Sequence, residues 1–486
     1  MGASPDFSEL MFEIPELQMN KPRWRCVLTL VLLSSVGCSS DDQATFSQGI
    51  GSVGETSVDT GADSQDGNDA ADTQDSSEQP TDDTGVTDDT DDTDDTDDSG
   101  EAPGDGDGDD GSSGPKFDLG GIPDGGHFTC GVGTDEPEFS YLWAANSTQG
   151  TISKIDTKTV TEVGRFITRP DLNGSPSRTS VSLSGDVAVA NRSGGVTKIY
   201  AHPENCKESN GVPGIQTSTD NQYLPWDQEE CRAWYTPMNY PSQRPVAWAP
   251  GTWNANTCRW DDEELWTAGT FYNGVIDIIL LDGDDGSIKD MVQVPAGNGA
   301  NQLNNDSFGI YGAASDGDGN FWGSQLGSGK LIRVNREDMS YDVFNAGPSG
   351  GWYGMTVDSD GMVWLCSSQV GRFDPLTETW AQAQVGGSTG CMADAGEGGL
   401  LWVSNGGGVT GVDRETLQVA KVCNGPGSYG VSVDFEGYVW AVAYGSTATK
   451  FDPETCQTWS YNGLVGAYTY SDMTGFALSN AGSPSG

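Results

Sequence analysis

The chain has few basic residues and almost no histidine. Lys and Arg number 23 against 72 Asp and Glu, so the formal net charge is −49, and only two histidines occur among 486 residues. A strongly acidic surface repels phosphate backbones and anionic headgroups, which argues against nucleic acid and anionic membrane as ligands. Two histidines are too few for the usual zinc sites, and no C-x-x-C pair is present. The sequence also shows no useful length of helical periodicity.

A motif does return four times in the second half of the chain. The copies read YGAASDGDGNFWGS from Tyr311, YGMTVDSDGMVWLC from Tyr353, CMADAGEGGLLWVS from Cys391 and YGVSVDFEGYVWAV from Tyr429. Each contains a tryptophan eleven residues after its first position, and successive tryptophans are 42, 38 and 38 residues apart. A period near forty indicates stacked copies of one supersecondary unit.

Each unit reads as four short strands. In the copy that begins at Phe308, strand-like runs occupy Phe308–Ser315, Phe321–Gln325, Leu331–Asn335 and Tyr341–Asn345, with Asp- and Gly-rich turns between them. These runs are rich in β-branched and aromatic residues, which favour strands. Four-stranded units at this period predict an all-β fold of the β-propeller type.

Weaker copies set the number of blades at seven. The tryptophan position is occupied in chain order by Trp143, Val189, Trp266, Trp322, Trp364, Trp402 and Trp440. The first copy has no strand before it, whereas Thr474–Gly482 aligns with Tyr353–Gly361. We therefore expect a C-terminal strand within residues 470–480 to pair beside the Trp143 strand and close a seven-bladed β-propeller, which removes its open sheet edges.

The phrases AANSTQGTISKID, VAVANRSGGVTKI and KFDPETCQTW recur in variant form along the repeats. Over roughly residues 141–478 the chain resembles the virginiamycin B lyase (streptogramin lyase) family of propellers. For activity, the resemblance implies histidines and an acidic residue near a bound magnesium that open a lactone by elimination. Here His127 precedes the propeller and His202 opens an insertion, so neither takes a repeat position. Fold alone does not specify function.

The N-terminal sequence indicates export. Three basic residues at 21–25 precede a short apolar run at 26–33, which ends in SSVGC at Cys38. This pattern is typical of a signal peptide over residues 1–38, and its end resembles a bacterial lipobox with Cys38 as the lipidated residue. Translation can begin at Met19, because the residues before it carry four acidic side chains. We expect a lipoprotein at the outer membrane, on its periplasmic face or at the cell surface. A secreted protein cleaved nearby is the alternative.

Residues 39–115 form a low-complexity linker of Asp, Thr, Gly and Ser. From 41 to 115 it carries 25 Asp plus Glu and no Lys or Arg. Such a segment cannot bury enough apolar surface to offset the entropy of ordering, so we expect a disordered acidic stalk. The remaining residues, 116–486, carry a net charge of −23 and are expected to form the propeller, with a Cys-rich insertion at about 202–262.

Eight cysteines remain once Cys26 leaves with the signal peptide and Cys38 takes the lipid. An even number in an exported chain predicts disulfides, although the sequence does not assign their pairing. Three of them, Cys206, Cys231 and Cys258, fall in the insertion. It reads as a disulfide-stapled flap that is either a decoration or a functional lid.

Ligands of propellers usually bind at loops around one rim of the central channel. The residue eleven before each tryptophan should begin an innermost strand near that rim. Candidate ligand-binding residues at or beside these positions are Arg178, Arg244, Tyr311, Trp352, Tyr353 and Tyr429. Arg244 takes this position in blade 3 only if the turn before Trp266 is lengthened. Aromatic rings with two arginines suit a sugar, a peptide or an aromatic acid. The alternative is that the tyrosines pack the funnel and the arginines neutralise neighbouring carboxylates.

No catalytic residue is predicted, because no nucleophile–base pair or carboxylate dyad is visible by spacing. No cofactor is predicted either. Calcium or magnesium is an alternative at the turns 316–320 and 358–361, which Asp/Gly hairpins explain more simply. The expected partners are the membrane, through the lipid, and an unidentified extracellular or periplasmic ligand or protein. We therefore favour a binding or protein-interaction module. A lyase or lactonase-type propeller enzyme with an altered active site is the alternative.

Overall fold

The computed structural model describes residues 140–254, 259–345, 347, 349–385, 390–393 and 399–484. The chain divides into two units, 1–104 and 105–486, and every described residue belongs to the second. The predicted signal peptide, the predicted lipidation site Cys38 and the acidic linker therefore lie outside the described residues.

Antiparallel strands form seven blades that follow one another in sequence. Blade 1 has β1 (Tyr141–Asn146), β2 (Thr151–Asp156) and β3 (Thr161–Ile167); blade 2 has β4 (Pro176–Val181), β5 (Val187–Asn191), β6 (Val196–Ile199) and β7 (Arg232–Thr236). Blade 3 has β8 (Ser242–Ala249), a side hairpin of β9 (Thr252–Asn254) and β10 (Arg259–Asp261), then β11 (Glu264–Thr270), β12 (Val275–Asp282) and β13 (Ile288–Pro295).

The last four blades are the most regular. Blade 4 has β14 (Gly312–Ser315), β15 (Phe321–Ser324), β16 (Leu331–Val334) and β17 (Tyr341–Phe344); blade 5 has β18 (Gly354–Val357), β19 (Val363–Cys366), β20 (Gln369–Asp374) and β21 (Thr379–Gln384). Blade 6 has β22 (Cys391–Ala393), β23 (Leu400–Asn405), β24 (Gly408–Asp413) and β25 (Val419–Asn424); blade 7 has β26 (Gly430–Val433), β27 (Val439–Val442), β28 (Ala448–Phe451) and β29 (Thr458–Tyr461). The innermost strands of blades 2 to 7 pack side by side around one axis, which confirms the predicted seven-bladed propeller.

The C-terminal segment closes the ring in blade 1. The Trp143 N–H donates to the Met473 carbonyl at 2.8 Å, and the Tyr468 N–H donates to the Ala145 carbonyl at 3.1 Å. Residues 467–473 thus take the innermost position beside β1, and Ala467 also bridges to Gly445 of blade 7. The prediction that a C-terminal strand seals the propeller is confirmed.

The register of the predicted closing strand is wrong by four residues at Met473 and by six residues at Tyr468. Aligning Thr474 with Tyr353 placed Ala477 opposite Trp143, where Met473 lies instead. After Thr474 the chain leaves the sheet and forms the helical turn α1 (Phe476–Ser479). Phe476 packs in the core between blades 6 and 7, while Leu478 packs in the core between blades 2 and 3. This turn therefore fills one end of the central channel.

The tryptophan repeat forms the contacts between blades. All seven repeat positions lie on the second strand of their blade and are 0–2% exposed. In blade 5 the Asp358 carboxylate accepts the Trp364 indole N–H at 2.6 Å and also accepts the backbone N–H groups of Asp360 and Met362. Gly361 supplies the positive φ of 74° that this turn requires. The aspartate therefore satisfies a buried indole and a tight turn together.

The same arrangement recurs in blades 4 and 7, where Asp316 and Asp434 accept the indole N–H groups of Trp322 and Trp440 at 2.9 and 2.8 Å. These carboxylates are thus already occupied by protein donors. Among the described residues, no group of three or more His, Cys, Asp or Glu is arranged to hold a metal ion.

Three disulfides staple the described part of the propeller. They join Cys206 to Cys231, Cys366 to Cys391, and Cys423 to Cys456. The second links the end of β19 to the start of β22, and the third links blade 6 to blade 7. Disulfides of this kind persist in oxidising, extracytoplasmic environments.

The predicted insertion at about 202–262 contains two regular blade strands, β7 and β8. The irregular part is the loop 200–231 in blade 2, which the Cys206–Cys231 disulfide closes at its base. The β9–β10 hairpin forms the lengthened turn before Trp266 that the placement of Arg244 required.

A buried carboxyl between blades 2 and 3 gives a pH-dependent term in stability. Burial raises the pKa of Glu263 from 4.5 to about 7, and Lys198 opposes this rise while Asp186 adds to it. The folded state holds the Glu263 proton more tightly than the unfolded state does. The contribution of this proton to the unfolding free energy is therefore complete below pH 4.5 and is lost as the pH rises through 7.

Replacing Glu263 by Gln should remove this dependence. Relative to the parent protein, the unfolding free energy of Glu263→Gln should rise by about 2 kcal/mol between about pH 5 and pH 8. Chemical denaturation at both pH values measures this difference. Glu337→Gln, at an exposed carboxylate, is the matched control. If the unfolding free energies of Glu263→Gln and the parent protein change equally between the two pH values, the raised pKa of Glu263 is contradicted.

Candidate ligand-binding mouth of the central channel

The repeat brings seven equivalent positions to one end of the channel. Each lies near the start of an innermost strand, eleven residues before the tryptophan position in blades 2 and 4 to 7. In blade 3 the inserted β9–β10 hairpin lengthens this spacing, and in blade 1 the closing segment supplies the matching place. In blade order the residues are Tyr468, Arg178, Arg244, Tyr311, Tyr353, Cys391 and Tyr429. We call this end, with the adjoining Tyr470, the tyrosine mouth.

The tyrosine hydroxyls form a hydrogen-bonded cluster. The Tyr311 hydroxyl lies 2.7 Å from that of Tyr470 and 3.0 Å from that of Tyr468, which in turn bonds to the Tyr353 hydroxyl. The rings of Tyr311 and Tyr470 are stacked at 5.9 Å, and the ring of Tyr353 lies 4.6 Å from that of Tyr470. The cluster therefore links blades 1, 4 and 5 across the channel.

Arg178 spans the channel beneath these rings. Its guanidinium donates to the Tyr470 carbonyl at 2.7 Å and to the Tyr353 carbonyl at 2.9 Å, and so connects blade 2 to blades 1 and 5. It lies 3.6 Å from the centre of the Tyr470 ring, and the residue is only 1% exposed. Its Nε has no hydrogen-bond partner among the described residues. Because Arg178 is buried and bonds to blades 1 and 5 from blade 2, it occupies the centre of the channel at this level.

Arg244 lies at the same mouth and is only partly buried. Its guanidinium lies 4.5 Å from the centre of the Phe308 ring and 5.0 Å from that of Tyr311. Its buried Nε also has no hydrogen-bond partner in the described part of the chain. Aromatic faces attract such a cation but do not neutralise its charge.

The tyrosines are neutral at physiological pH. Burial is the first cause that raises the pKa of Tyr468 and of Tyr470 to about 12, and neighbouring tyrosines add to it. Burial likewise raises the pKa of Tyr353 and Tyr311, with Arg178 and Arg244 opposing the rise at Tyr311. The hydroxyls therefore stay available as hydrogen-bond donors, and the arginines supply the fixed charge of the mouth.

Five of the six candidate residues come together here, and Trp352 does not. Trp352 is fully buried between blades 4 and 5, where it packs near Trp322 and stacks on Trp380 at 5.7 Å. Tyr429 lies at the edge of the cluster, 6.4 Å from Tyr353, and its ring contacts Tyr444 of the β27–β28 hairpin. Whether these five residues bind a ligand stays a prediction.

Sequence reasoning missed several residues of this end of the channel. Tyr468 and Tyr470 lie in the closing segment, whose alignment was out of register by six residues at Tyr468 and by four residues at Met473. Arg192, in the β5–β6 hairpin, lies 5.1 Å from the centre of the Tyr468 ring. The repeat gives no signal for Arg192 or Tyr444, because hairpin residues vary from blade to blade.

Asp472 lies deeper in the channel. It lines a cavity of about 30 Å³ with the innermost strands and with Ala477 and Leu478 of α1. Burial raises the pKa of Asp472 to about 6, while the backbone N–H groups of Gly475 and Thr474, at 2.9 and 3.2 Å, oppose the rise. A cavity of this size holds roughly two waters, so it has no room for an organic substrate.

His202 lies at the opposite end of blade 2 from Arg178. It follows Ala201, whose N–H donates at 2.8 Å to Asp186 in the β4–β5 turn. The His202 Nδ1 is 3.6 Å from a Glu204 carboxylate oxygen. This histidine is therefore not placed to act at the tyrosine mouth, and His127 lies outside the described residues.

The topology and the channel define a seven-bladed β-propeller. No protein-family model matches the chain, and no curated protein matches it either. Similar solved structures include virginiamycin B lyase from Staphylococcus aureus with quinupristin, at 14% identity, 59% of this chain, 83% of that chain and a TM-score of 0.39. Apo AztD from Citrobacter koseri is 12% identical, with 68% and 97% covered and a TM-score of 0.42. The dihydro-heme d1 dehydrogenase NirN is 12% identical, with 68% and 76% covered and a TM-score of 0.41. The fold of this chain rests on its own strand pairing, and no activity of these proteins is transferred to it.

Proposed function

We propose that the chain is an exported, lipid-anchored binding module, in which a rigid propeller on an acidic stalk takes a small ligand at the tyrosine mouth. The observation that supports it most is the joining of neutral tyrosines and arginines at one end of a channel that is closed below. The blades repeat one geometry, so equivalent positions of six innermost strands and of the closing segment meet at this end of the channel.

Exposed rings at the same end of the propeller extend the surface that a ligand would contact. Tyr429 is 36% and Tyr444 is 64% exposed on blade 7, while Phe271 and Tyr272 are each 49% exposed in the β11–β12 hairpin of blade 3. Large aromatic side chains supply contact area with little loss of side-chain entropy, which suits ligand binding. The three disulfides support export, and no helix of the described residues is long and apolar enough to cross a membrane.

The lyase or lactonase alternative has less support at this mouth. A general base must reach the proton that it removes, and its pKa should lie near the working pH. Burial moves the pKa of Tyr353, Tyr468 and Tyr470 upward, away from that range. Asp472, whose pKa burial raises to about 6, lies in a cavity of about 30 Å³, which is too small for an organic substrate.

Replacing Tyr353 and Tyr429 together by alanine should weaken ligand binding about tenfold or more, because each ring contact contributes on the order of 1 kcal/mol. The full-length chain is titrated calorimetrically with oligosaccharides, short peptides and aromatic acids, and the ligands that bind are repeated with the variant. Circular dichroism checks that the variant is folded.

Tyr223→Ala is the matched control, because Tyr223 is an exposed ring on the loop 200–231. Full binding by the double variant would move the site away from the mouth, with that loop as the next candidate. The same preparation is incubated with a streptogramin B-type lactone, with and without magnesium. We expect no ring opening, and clear turnover would establish the enzyme alternative.

A further inference from the structure

Three arginines at the mouth end of the channel have no carboxylate partner. Arg178, Arg192 and Arg244 form no ion pair with any described Asp or Glu. Several arginines elsewhere in the propeller do pair with carboxylates within 4.0 Å, namely Arg165, Arg169, Arg333, Arg336 and Arg414. Arg232 and Arg372, in other parts of the propeller, also lack such a carboxylate and donate to backbone carbonyls. The mouth is distinguished by bringing three such arginines to one end of the channel, in a chain whose net charge is −49.

Two of these arginines are held by neutral groups. Arg178 donates to the carbonyls of Tyr470 and Tyr353, and Arg192 donates to the Ser175 carbonyl at 3.1 Å. Carbonyl dipoles and ring faces hold a guanidinium in position, but they leave its charge without a counterion. A buried cation without a counterion is costly, by several kcal/mol in idealised cases, so an incoming anion gains from it.

Arg244 is the arginine that can meet the anion. It is half-buried, no hydrogen bond joins its guanidinium to the described residues, and it lies against the rings of Phe308 and Tyr311. The planar guanidinium fork matches a carboxylate with two parallel hydrogen bonds. Tyr468 and Tyr470 do not supply the anion themselves, because burial keeps their pKa high and their hydroxyls protonated.

We propose that the tyrosine mouth recognises an organic carboxylate that carries a flat ring, with Arg244 binding the carboxylate and the exposed aromatic side chains holding the ring. This inference rests on the proposed binding function. Phe271 and Tyr272 lie in the β11–β12 hairpin, at the same end of blade 3 as Arg244, and Tyr429 and Tyr444 lie on blade 7. Arg178 blocks the channel below, so the ligand lies across the mouth and does not enter the channel.

Two matched probes test the charge requirement. Calorimetric titration of the full-length chain compares 3-phenylpropanoate with 3-phenylpropanamide, which has the same ring and length but no charge. A charge-assisted bidentate pair contributes about 1.5–3 kcal/mol, so the carboxylate should bind at least about tenfold more tightly than the amide. Arg244→Gln should abolish this preference, and Arg244→Lys, which keeps the charge but not the fork, should retain part of it.

Arg169→Gln is the control, because Arg169 pairs with Asp171 at 3.1 Å and should leave the preference unchanged. Thermal unfolding of each variant checks the fold. Equal binding of the two probes, a preference that survives in Arg244→Gln, or no binding of either probe at millimolar concentration would each overturn the carboxylate inference. If both probes bind equally and both are lost in the Tyr353→Ala and Tyr429→Ala double variant, the binding site stands and only the carboxylate inference fails.

Discussion

Removal of residues 467–486 is expected to prevent the propeller from folding. The deleted segment supplies the innermost position of blade 1, where the Trp143 and Tyr468 N–H groups make their bonds across to Met473 and Ala145. It also removes Phe476 and Leu478, which pack into the cores between different pairs of blades. Loss of one large buried side chain costs roughly 2–5 kcal/mol, whereas a whole domain is stable by about 5–15 kcal/mol. The sum of these losses is expected to exceed the unfolding free energy of the propeller.

The bottom of the ring depends on the same segment. The Gly482 N–H donates to the Asp358 carbonyl at 2.8 Å, and the Gly317 N–H donates to the Gly482 carbonyl at 2.9 Å, so the chain end also ties blades 4 and 5. A chain that ends after Gly482 keeps all of these bonds and is the matched control. Solubility, near-ultraviolet circular dichroism and calorimetric unfolding separate the two forms. If the chain that lacks residues 467–486 unfolds cooperatively with the same enthalpy as the parent protein, the closure mechanism is contradicted.

The ring could be predicted from the sequence because its signal is repeated. A tryptophan at a period near forty marks the second strand of each blade, and even Val189, without the ring system, occupies the buried position that the repeat assigns to it. Closure by the chain end followed from the missing strand before Trp143. The helical turn Phe476–Ser479 could not be predicted, because it occurs once and its apolar residues match those of a strand.

The mouth could be predicted only in part. Arg178, Arg244, Tyr311, Tyr353 and Tyr429 follow from the spacing, since equivalent positions converge on the channel. Trp352 was included for its place next to Tyr353. Successive side chains of an extended chain point to opposite faces, however, and that rule directs Trp352 into the blade interface where the structure has it.

The contacts that the mouth residues make could not be predicted from the sequence. Tyr468 and Tyr470 were hidden by a register error of four to six residues in a segment that carries no tryptophan of its own. The carbonyls of Tyr470 and Tyr353 that hold Arg178 come from segments 292 and 175 residues away, and no local pattern predicts such contacts.

Replacing Cys38 by alanine is expected to move the protein from the membrane fraction to the soluble fraction. Under the lipoprotein hypothesis the acyl chains on Cys38 are the attachment, and each buried CH₂ contributes about 0.8 kcal/mol to membrane binding. The rest of the chain offers little to replace them. Residues 116–486 carry a net charge of −23, which repels anionic headgroups, and the described part has no helix able to span a bilayer.

Cys26→Ala provides the matched control, because Cys26 lies in the apolar run of the same leader and outside the lipobox-like end. That variant should fractionate with membranes as the parent does, so a change in both variants would indicate impaired export and not a lost anchor. Fractionation by ultracentrifugation and metabolic labelling with a fatty acid measure the two effects separately. Membrane association of Cys38→Ala at the parental level, or the absence of label on the parent, would refute the lipid anchor while leaving the tyrosine mouth to be judged by its own binding tests.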